Sequence, residues 1–561
     1  MSGAELAIRA LRAHDVDTIF TIVGDHTLPL CDHAIDYGIR FVDTRHESAA
    51  VHMADAWSRA TGRPGVCMVT GGPGHANSLA GLAVASRQEV PVIHISGRSE
   101  LAYENMDALQ ELDQISTAAP LSKRAEIVRN AAAVPEAIHA AFRSATGGRP
   151  GPAHITIPLD VQEATVDESD AAKVEALGTA ATERSGMDAN AVNRVIEILR
   201  SARRPVIVAG AGAAFGVDPS SLQGLVETTG IPLFTVETAR GLVDDRHDLC
   251  LGYADPALNH AARHIAEADV LLLLGKKFDF RLAYGRPPRV GIDTRVLQVD
   301  PDPDEIGRYR EVEIGLCADV GTVVVQLADA ARKLAWQGCG DWVDVLNSVR
   351  TDQLQEMAEA GNDPELPLHP MTVVEAVKPF LDESDFLIFD TGDYVQWGRS
   401  YLDARRPGRW LRLGPLGHLG AGLPLALGCQ VADPSSRSVL FIGDGGVGFY
   451  FMEFDTAVRH NLPIIAIVGN DSAWGIDRQF QLAYYGRSVA TDLRPVRYDR
   501  LVTELGGHGE FVEKPEELGG AFERAWNSGK PALINVAIRS ITSPLSKAMI
   551  ERRMQSHPKS G

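Results

Sequence analysis

Short apolar runs alternate with longer alanine-rich stretches along most of the chain. The runs are rich in β-branched residues, which is typical of buried parallel strands. The alanine-rich stretches, such as residues 48–60, are typical of helices. This alternation predicts α/β domains in which helices cover parallel sheets. The clearest strand predictions fall at residues 18–23, 66–70, 91–96 and 153–157.

The alternation is interrupted at two places, which predict domain boundaries. Residues 161–188 are charged and lack apolar periodicity, which indicates a linker, and residues 363–370 form a proline-rich joint. An acidic amphipathic helix is predicted before that joint, over residues 336–361. The chain is therefore predicted to contain three α/β domains with doubly wound parallel sheets. They cover residues 1–165, 186–335 and 365–540, and no pattern requires the tail at residues 541–561, rich in Ser, Pro, Lys and Arg, to pack.

Length and charge agree with this division and exclude one class of partner. At about 150 residues per domain, 561 residues correspond to three or four domains. Hydrophobic residues make up 45% and charged residues 23%, which is the balance of a globular protein. The formal net charge of −20 argues against nucleic-acid binding, because phosphate contacts need a basic surface. Anionic small molecules are compatible with it where local cations supply a positive field.

The cysteines and the apolar segments favour a reducing cytoplasm without membrane contact. No two of the six cysteines have CxxC spacing, so neither a zinc ribbon nor a disulfide framework is indicated. The N-terminus lacks an apolar leader, and Ser2 and Glu5 have the spacing of a capping box. The most apolar run, Val270–Leu274, is too short to cross a bilayer.

In the third block, two neighbouring strands are each followed by a residue of a type that binds metal ions. A strand at Ser438–Gly443 runs into Gly-Asp-Gly-Gly, and after a helix at 449–460 a second strand, 464–469, ends at Asn470. A βαβ crossover places the carboxyl ends of both strands at one edge of the sheet, so Asp444 and Asn470 converge. Carboxylate and amide oxygens suit Mg²⁺, while the glycines Gly443, Gly445 and Gly446 allow backbone amides to approach phosphates.

A Gly-Asp-Gly segment alone would usually be an ordinary turn. The complete strand–GDG–helix–strand–Asn-Asp arrangement, however, resembles the thiamine-diphosphate enzyme superfamily over about residues 1–540. The resemblance implies that Asp444 and Asn470 bind Mg²⁺, with a backbone carbonyl near Ser472. The family usually has two asparagines after the second strand, and Gly469 occupies the first of these positions.

A glycine-rich approach to a helix, residues 414–428, precedes this motif. Tight helix packing is one explanation for it. In the resembling family this segment meets the middle of the cofactor, where a bulky apolar residue wedges the two rings into a bent shape. Leu419 matches that residue, and Gly417 matches the carbonyl that accepts from the 4′-amino group.

In the first block, Glu47 follows a strand and begins a helix. The HExxH pattern fails because position 50 is not histidine, and a carboxylate that merely complements the helix dipole is a second alternative. The next strand runs into Gly-Gly-Pro-Gly-His-Ala-Asn, which resembles the loop of acetolactate synthase relatives. The resemblance implies that Glu47 hydrogen-bonds N1′ of the cofactor pyrimidine and activates the thiazolium ring. It also implies that this glutamate and the metal site come from different subunits of a homodimer or homotetramer.

Three further residues are candidates for the reaction centre. Gln110, in a stretch that resembles the acetolactate synthase group, would face the reacting carbon. Histidine pairs of the pyruvate-decarboxylase type are absent, and His26 and His75 are the nearby substitutes. Either histidine could equally be structural.

The middle block resembles the superfamily's central domain. Its glycine loop at 210–216 misses the dinucleotide fingerprint by one residue and is weak evidence by itself. In related enzymes this domain binds FAD or ADP, which would place Asp300 on ribose hydroxyls and Arg286 near the nucleotide. A purely structural central domain is the alternative.

The substrate is predicted less sharply than the cofactor. The Val23-Gly24 turn resembles 2-hydroxyacyl-CoA lyases and oxalyl-CoA decarboxylase, and a basic tail could cover the phosphates of an acyl-CoA. We favour cleavage of a 2-hydroxyacyl-CoA into formyl-CoA and a ketone or aldehyde. Acetolactate-synthase-like carboligation, decarboxylation of a 2-oxoacid or of oxalyl-CoA, and a non-catalytic homologue are the alternatives. The basic residues of the tail, which could equally be solvated, are Lys547, Arg552, Arg553 and Lys559.

Overall fold

The computed structural model describes residues 1–167 and 184–556. Part of the predicted linker, residues 168–183, and the end of the tail, including Lys559, lie outside the described residues. The chain contains three six-stranded sheets, and all of their strand pairs are parallel. The prediction of three parallel α/β domains is confirmed.

The first sheet has the strand order β2-β1-β3-β4-β6-β5. Its first helix begins after Ser2, whose hydroxyl accepts a hydrogen bond from the Glu5 backbone N–H at 3.1 Å. The strands are β1 (Thr18–Ile22), β2 (Arg40–Asp43), β3 (Gly65–Val69), β4 (Val92–Arg98), β5 (Arg124–Ile127) and β6 (Ala153–Pro158). The helices are α1 (Gly3–Ala13), α2 (Leu28–Asp36), α3 (Glu47–Thr61), α4 (Pro73–Gln88), α5 (Gln114–Ala118), α6 (Val134–Thr146) and α7 (Leu159–Glu163).

The second sheet has the order β12-β11-β10-β7-β8-β9, and apolar side chains cover both of its faces. Its strands are β7 (Pro205–Ala209), β8 (Leu233–Thr235), β9 (Cys250–Tyr253), β10 (Val270–Leu274), β11 (Arg295–Asp300) and β12 (Ile314–Cys317). The helices of this region are α8 (Ala189–Ser201), α9 (Ala211–Ala214), α10 (Pro219–Thr229), α11 (Val320–Ala331) and α12 (Gly340–Gly361). The last of these is the predicted acidic helix, and it begins four residues later than the pattern indicated.

The third sheet has the order β14-β13-β15-β16-β18-β17. Its strands are β13 (Phe386–Phe389), β14 (Trp410–Arg412), β15 (Ser438–Gly443), β16 (Ile465–Asn470), β17 (His508–Val512) and β18 (Ala532–Ala537). The remaining helices are α13 (Pro370–Val377), α14 (Val395–Tyr401), α15 (Gly422–Ala432), α16 (Asp444–Val447), α17 (Glu453–Arg459), α18 (Gly475–Tyr485), α19 (Tyr498–Glu504), α20 (Pro515–Asn527) and α21 (Pro544–Ser556).

The chain forms two compact units. The first contains the described part of residues 1–183, Leu413–Ser435 and Tyr450–Pro463. It therefore includes the first sheet together with α15 and α17. The second unit contains the other two sheets and α21. Among residues 1–167 and 184–556, no helix combines the length and the apolar character needed to span a bilayer.

Within the first unit, α3 is buried on all sides from Ser48 to Arg59. It lies against β1, β3, α4 and α15. Close approach requires glycine at two of these contacts, because a Cβ at Gly81 would lie 2.6 Å from Val51 Cβ and one at Gly428 would lie 2.9 Å from Ala56 Cβ. The helix ends at Gly62, whose φ of 74° is the left-handed conformation that glycine adopts freely.

The tail packs, although its sequence pattern does not require it to. Helix α21 lies against α14 and α18 in the second unit. The buried carboxylate of Asp393 accepts hydrogen bonds from the hydroxyls of Ser543 and Ser546, the latter at 2.5 Å. The Ser543 backbone N–H also donates to this carboxylate, at 3.3 Å. The tail is thus anchored by polar contacts, which the apolar periodicity of the chain does not report.

Candidate active site

The predicted metal ligands lie side by side at the carboxyl edge of the third sheet. Strands β15 and β16 pair in parallel, and Gly443 lies opposite Gly469. Asp444 and Asn470 follow these glycines directly, so the register brings them together. Both are nearly enclosed, with 2% of Asp444 and 8% of Asn470 exposed.

Asp444 has a second carboxylate beside it. Burial, followed by the charge of the neighbouring Asp471, raises the pKa of the Asp444 carboxyl group. Burial raises the pKa of Asp471 as well. Oδ2 of Asp444 is buried and has no hydrogen-bond partner in the described part of the chain. Two adjacent carboxyl groups, one of which has a buried oxygen available as a ligand, are the donor set of a hard divalent cation. Asp471 follows Asn470 directly but was not predicted as a ligand.

The side chain of Asn470 is fixed by its amide group. Nδ2 donates to the Val496 carbonyl at 3.2 Å and to Asn535 Oδ1 at 3.1 Å. The carbonyl oxygen Oδ1 therefore has a set orientation, in which it accepts from the Ser472 backbone N–H at 3.2 Å. The Ser472 carbonyl accepts from the Leu493 N–H at 2.7 Å and retains a second lone pair.

Neighbouring side chains explain the glycines of this edge. A Cβ at Gly445 would lie 2.6 Å from the Trp474 ring, and one at Gly446 would overlap the Asp390 carboxylate. At Gly469 a Cβ would lie 2.5 Å from the ring of Tyr394. The buried tyrosine thus fills the place of the asparagine side chain that the resembling family usually carries there.

Glu47 lies at the carboxyl edge of the first sheet, as the first residue of α3. His46 caps this helix by accepting from the Ser48 N–H at 3.1 Å. Asn77, in the Gly-Gly-Pro-Gly segment, donates through Nδ2 to Glu47 Oε2 at 3.0 Å. The Ser48 hydroxyl donates to the Asn77 carbonyl at 2.7 Å. The glutamate and the glycine loop are therefore held together, and the carboxylate stays partly exposed.

His26 lines a cavity of about 360 Å³ at the same edge of the first sheet. The side chain is 3% exposed, and burial lowers its pKa against the opposing charges of Asp25 and Glu100. The loop at 100–111 forms another wall. Glu111 orders this loop by accepting from the Asn105 and Ala108 backbone N–H groups at 2.6 and 3.2 Å.

Gln110 contacts the glycine loop through its backbone. A Cβ at Gly72, where φ is +56°, would lie 2.5 Å from the Gln110 carbonyl oxygen. Gln110 itself has a left-handed φ of 60°. This conformation is uncommon for a residue with a side chain and indicates that the loop is held by its surroundings.

His75 is surrounded differently from His26. It is fully buried, and its Nε2 hydrogen-bonds to Thr117 Oγ1 at 3.0 Å. His94 and His154 lie beside it, with ring centroids 5.5 and 4.8 Å away. These two histidines were not predicted as site residues, because each lies in the middle of an apolar strand.

Gly417 and Leu419 lie in the loop before α15 and are half-buried. His418, between them, hydrogen-bonds through Nε2 to the Tyr450 hydroxyl at 2.9 Å, and its ring centroid lies 5.4 Å from that of His52 on α3. Gly417 has a φ of +65°. The structure therefore brings the predicted cofactor-contacting loop against the helix that Glu47 begins.

The nucleotide prediction for the middle block finds little support in the geometry. Asp300 is fully buried, and its Oδ1 accepts from the Asp302 N–H at 3.0 Å, while Arg286 is exposed. The glycine loop packs backbone to backbone: a Cβ at Gly212 would lie 3.0 Å from Gly275 Cα. Close packing thus accounts for this glycine without a ligand.

The basic residues of the tail lie on α21. Arg553 lies over the Tyr484 ring at 4.2 Å, and its guanidinium donates to the Tyr485 hydroxyl at 3.3 Å. Arg552 is close enough to Arg289 for its charge to lower the pKa of that guanidinium. Lys547 is exposed.

Three family models match the chain in succession. Residues 1–117 match the N-terminal TPP binding domain of the thiamine pyrophosphate enzymes, residues 192–327 their central domain, and residues 390–536 their C-terminal TPP binding domain. The chain belongs to the thiamine pyrophosphate enzyme family. It is therefore a thiamine-diphosphate-dependent enzyme, and the two carboxyl edges described above lie in its two cofactor-binding domains.

Relatives within this family have two kinds of activity in their names. A probable acetolactate synthase of Mycobacterium bovis is 35% identical, over 96% of this chain and 95% of its own length. A 2-hydroxyacyl-CoA lyase 2 of Homo sapiens is 31% identical, over 96% of this chain and 90% of its own. A 2-hydroxyacyl-CoA lyase 1 of Mus musculus is 30% identical, over 96% and 94%.

Proposed function

We propose that this enzyme is a Mg²⁺-dependent lyase that cleaves the C1–C2 bond of a 2-hydroxyacyl-CoA to formyl-CoA and a ketone or aldehyde. The observation that carries the proposal is a group of guanidinium groups in the second unit. Burial lowers the pKa of Arg289, and the charges of Arg552 and Arg263 lower it further against the opposing charge of Asp255. Asp255, together with Glu551 and Glu356 beside Arg263, offsets part of this positive charge. Three neighbouring guanidinium groups in a chain of net charge −20 still favour a polyanionic ligand, such as the phosphates of CoA.

Mg²⁺ and the diphosphate are proposed to bind at the edge of the third sheet. Asp444 and Asn470 Oδ1 supply oxygen ligands, the Ser472 carbonyl is a third, and the buried Oδ2 of Asp444 supports this assignment. The backbone amides around Gly445 approach the diphosphate. The cation also relieves the repulsion between Asp444 and Asp471.

Glu47 is proposed to act on the pyrimidine ring. When bound, thiamine diphosphate supplies a carbon nucleophile at its thiazolium ring, which also takes up the electron pair of the bond that breaks. Glu47 holds a proton at N1′, while Asn77 fixes the orientation of its carboxylate. Leu419 would wedge the two rings of the bound cofactor into their bent shape, the role that the matching residue has in the family. His26 is proposed to exchange a proton with substrate, and its position in the lining of a cavity supports this role.

Acetolactate-synthase-like carboligation is the second candidate. It is supported by the 35% identical relative and by Gln110, which contacts the glycine loop next to the predicted centre. A pyruvate substrate would not need the basic residues of α21. The two candidates therefore differ in whether those residues affect turnover.

The test compares both substrates with one enzyme preparation. The protein is loaded with thiamine diphosphate and Mg²⁺ and assayed with 2-hydroxyacyl-CoA thioesters and with pyruvate. Formyl-CoA release supports the lyase, whereas carboligation of pyruvate without thioester cleavage contradicts it.

Arg552→Gln then tests the basic group. We expect its KM for the thioester to rise at least about tenfold, because one charge-assisted contact contributes roughly 1.5–3 kcal/mol. Arg332→Gln is the control and should leave KM unchanged, because this exposed arginine lies at the end of α11 and pairs with Asp329 of the same helix. An unchanged KM in Arg552→Gln would remove α21 from substrate binding.

A further inference from the structure

Three buried histidines meet in the first unit, and one of them, His75, is a candidate of the sequence analysis for which the proposed reaction has no role. His94 on β4 and His154 on β6 are directly paired in the strand register. His75 lies on α4, above them. All three are 0% exposed, and one ring nitrogen from each lies within 4.8 Å of the others.

The hydrogen bonds around this histidine cluster fix which nitrogens carry protons. The Ser78 hydroxyl donates to the His75 carbonyl at 2.6 Å, so it accepts from His94 Nε2 at 2.8 Å. The Thr117 hydroxyl donates to the carbonyls of Asp113 or Gln114 and accepts from His75 Nε2. Nε2 is thus the protonated nitrogen in His75 and His94, and their Nδ1 atoms carry lone pairs.

The remaining nitrogens do not form a complete hydrogen-bond network. Nδ1 of His154 donates a hydrogen bond to Nδ1 of His94 at 2.8 Å, and Nε2 of His154 accepts from Thr156 Oγ1 at 2.9 Å. Nδ1 of His75 is buried and has no hydrogen-bond partner among the residues that the structure describes. A buried imidazole nitrogen without a partner is costly in a purely structural cluster.

The surroundings also keep the rings neutral. Burial lowers the pKa of His75 to about 4 and that of His154 to about 3, and it lowers the pKa of His94 well below its usual range. Neutral imidazoles with their outer N–H groups on fixed acceptors are the form in which histidine binds metals.

We propose that His75, His94 and His154 bind one transition-metal ion of the Zn²⁺ class through their Nδ1 atoms. Ligands of a tetrahedral ion at about 2.0–2.1 Å are roughly 3.3–3.4 Å apart, so His94 and His154 separate by about half an ångström and His75 moves towards them from within the present 4.8 Å. The proton of His154 moves from Nδ1 to Nε2, which then donates to Thr156 Oγ1. Three imidazoles suit Zn²⁺ rather than Mg²⁺, which requires oxygen ligands. The ion fixes the start of α4, from which Asn77 reaches Glu47.

The first experiment measures metal binding to the whole protein. After removal of metals by chelation, Zn²⁺ is titrated in by calorimetry with excess Mg²⁺ present, and Co²⁺ is titrated with detection of its visible absorption. We expect one equivalent per chain, a rise in the thermal midpoint, and the visible bands of tetrahedral cobalt. Absence of a Zn²⁺ site that survives excess Mg²⁺ would overturn the proposal and leave a hydrogen-bonded cluster.

Variants then assign the ligands. His94→Gln and, independently, His75→Gln should weaken Zn²⁺ binding by at least about tenfold and abolish the cobalt bands. The control is His139→Gln, because His139 lies in the same unit and pairs with another histidine, His14, at 2.8 Å. This variant should keep full binding. Circular dichroism verifies folding, and an unchanged affinity in both folded ligand variants would contradict the assignment.

Discussion

Asn77 donates a hydrogen bond to the Glu47 carboxylate at 3.0 Å, and the glutamate side chain is partly exposed. Replacing it with glutamine keeps the shape and the contact with Asn77 but removes the charge that would hold a proton at N1′. We expect Glu47→Gln to lower kcat by about 10²–10⁴-fold. Binding of Mg²⁺ and diphosphate should persist, because Asp444 and Asn470 are untouched.

The measurement is steady-state turnover together with cofactor affinity from tryptophan fluorescence. Asn77→Asp is a companion variant that places a second carboxylate beside Glu47 and should shift the pH profile. Full activity in Glu47→Gln would show that the enzyme activates its cofactor by another group.

A second prediction at this scale concerns the paired carboxyl groups at the edge of the third sheet. Burial raises the pKa of both Asp444 and Asp471, and the charge of Asp471 raises that of Asp444 further, so the apoprotein retains a proton there above the usual carboxyl range. A cation must displace that proton. The apparent affinity for Mg²⁺ should therefore rise with pH until the pair is fully ionised.

Calorimetry in two buffers of different ionisation enthalpy measures the released proton directly. Asp471→Asn should reduce the proton release, since one like-charged neighbour has been removed. The same affinity at pH 6 and pH 8 would mean that the two carboxyl groups do not share a proton.

Among the elements, α21 depends on a polar anchor. Asp393 is buried, and the hydroxyls of Ser543 and Ser546 donate to it. Ser546→Ala removes one charge-assisted bond and should lower the local free energy of opening by about 1.5–3 kcal/mol. Hydrogen exchange of residues 544–556 would become faster by a factor of about ten or more.

The control for the anchor is Ser528→Ala. This hydroxyl donates to the Ala525 carbonyl within its own helix and has no link to α21. Unchanged exchange in Ser546→Ala would show that the apolar contacts of α21 hold it without the serines.

Individual elements also show which features of the site could be predicted from the sequence and which could not. The convergence of Asp444 and Asn470 was predictable, because strand ends and a crossover rule suffice to place them. Asp471 was not, since whether a carboxylate after a strand points to the sheet edge depends on packing. The pairing of His94 with His154 spans 60 residues, and no local pattern reports it.

The departures from the family pattern and from the predicted tail have physical causes in contacts between residues that are distant in the sequence. Gly469 replaces the usual asparagine because the ring of Tyr394, 75 residues earlier, lies against it. The tail carries no apolar periodicity, so its packing through Asp393 could not be read from its pattern. The fold could be predicted from the sequence, whereas the long-range side-chain contacts could not.

At the scale of the molecule, the second and third sheets are joined within the second unit by a buried charged cluster. Glu237, after β8, interacts with Arg281 and with Arg412 of β14, the latter at 3.0 Å. The Tyr253 hydroxyl donates to the same carboxylate at 2.5 Å. Although burial opposes ionisation, the arginine charges hold the pKa of Glu237 far below its usual range.

Because the folded pKa is lowered, the carboxylate stabilises the fold above the usual pKa of about 4.5, and this stabilisation is lost as the pH falls through the folded pKa. Glu237→Gln leaves buried arginines unbalanced and should cost about 3–5 kcal/mol at pH 7. The difference from the wild type in urea unfolding should shrink towards acid pH.

Glu313→Gln is the matched control, because Glu313 pairs with Arg295 at 2.6 Å on the surface. Its cost should stay below about 1 kcal/mol. Equal effects of the two substitutions would mean that the buried cluster does not join the sheets.

The last prediction concerns assembly and distinguishes sites built from two chains from sites built from one. In the proposed homodimer, Glu47 of one protomer serves the cofactor bound by Asp444 of its partner. Glu47→Gln and Asp444→Ala are then each inactive alone, but a hybrid dimer of the two contains one site with both residues intact. Random re-association of equal amounts should restore roughly a quarter of wild-type activity, because half of the dimers are hybrids with one working site of two.

Hybrids of the wild type with the double variant give the opposite result. Such hybrids are inactive if the chains share sites, and they are half-active if each chain builds its own site. Native mass spectrometry verifies that hybrids form. No activity in the first mixture, together with roughly half of wild-type activity rather than roughly a quarter in the second, would establish that each chain completes its own site.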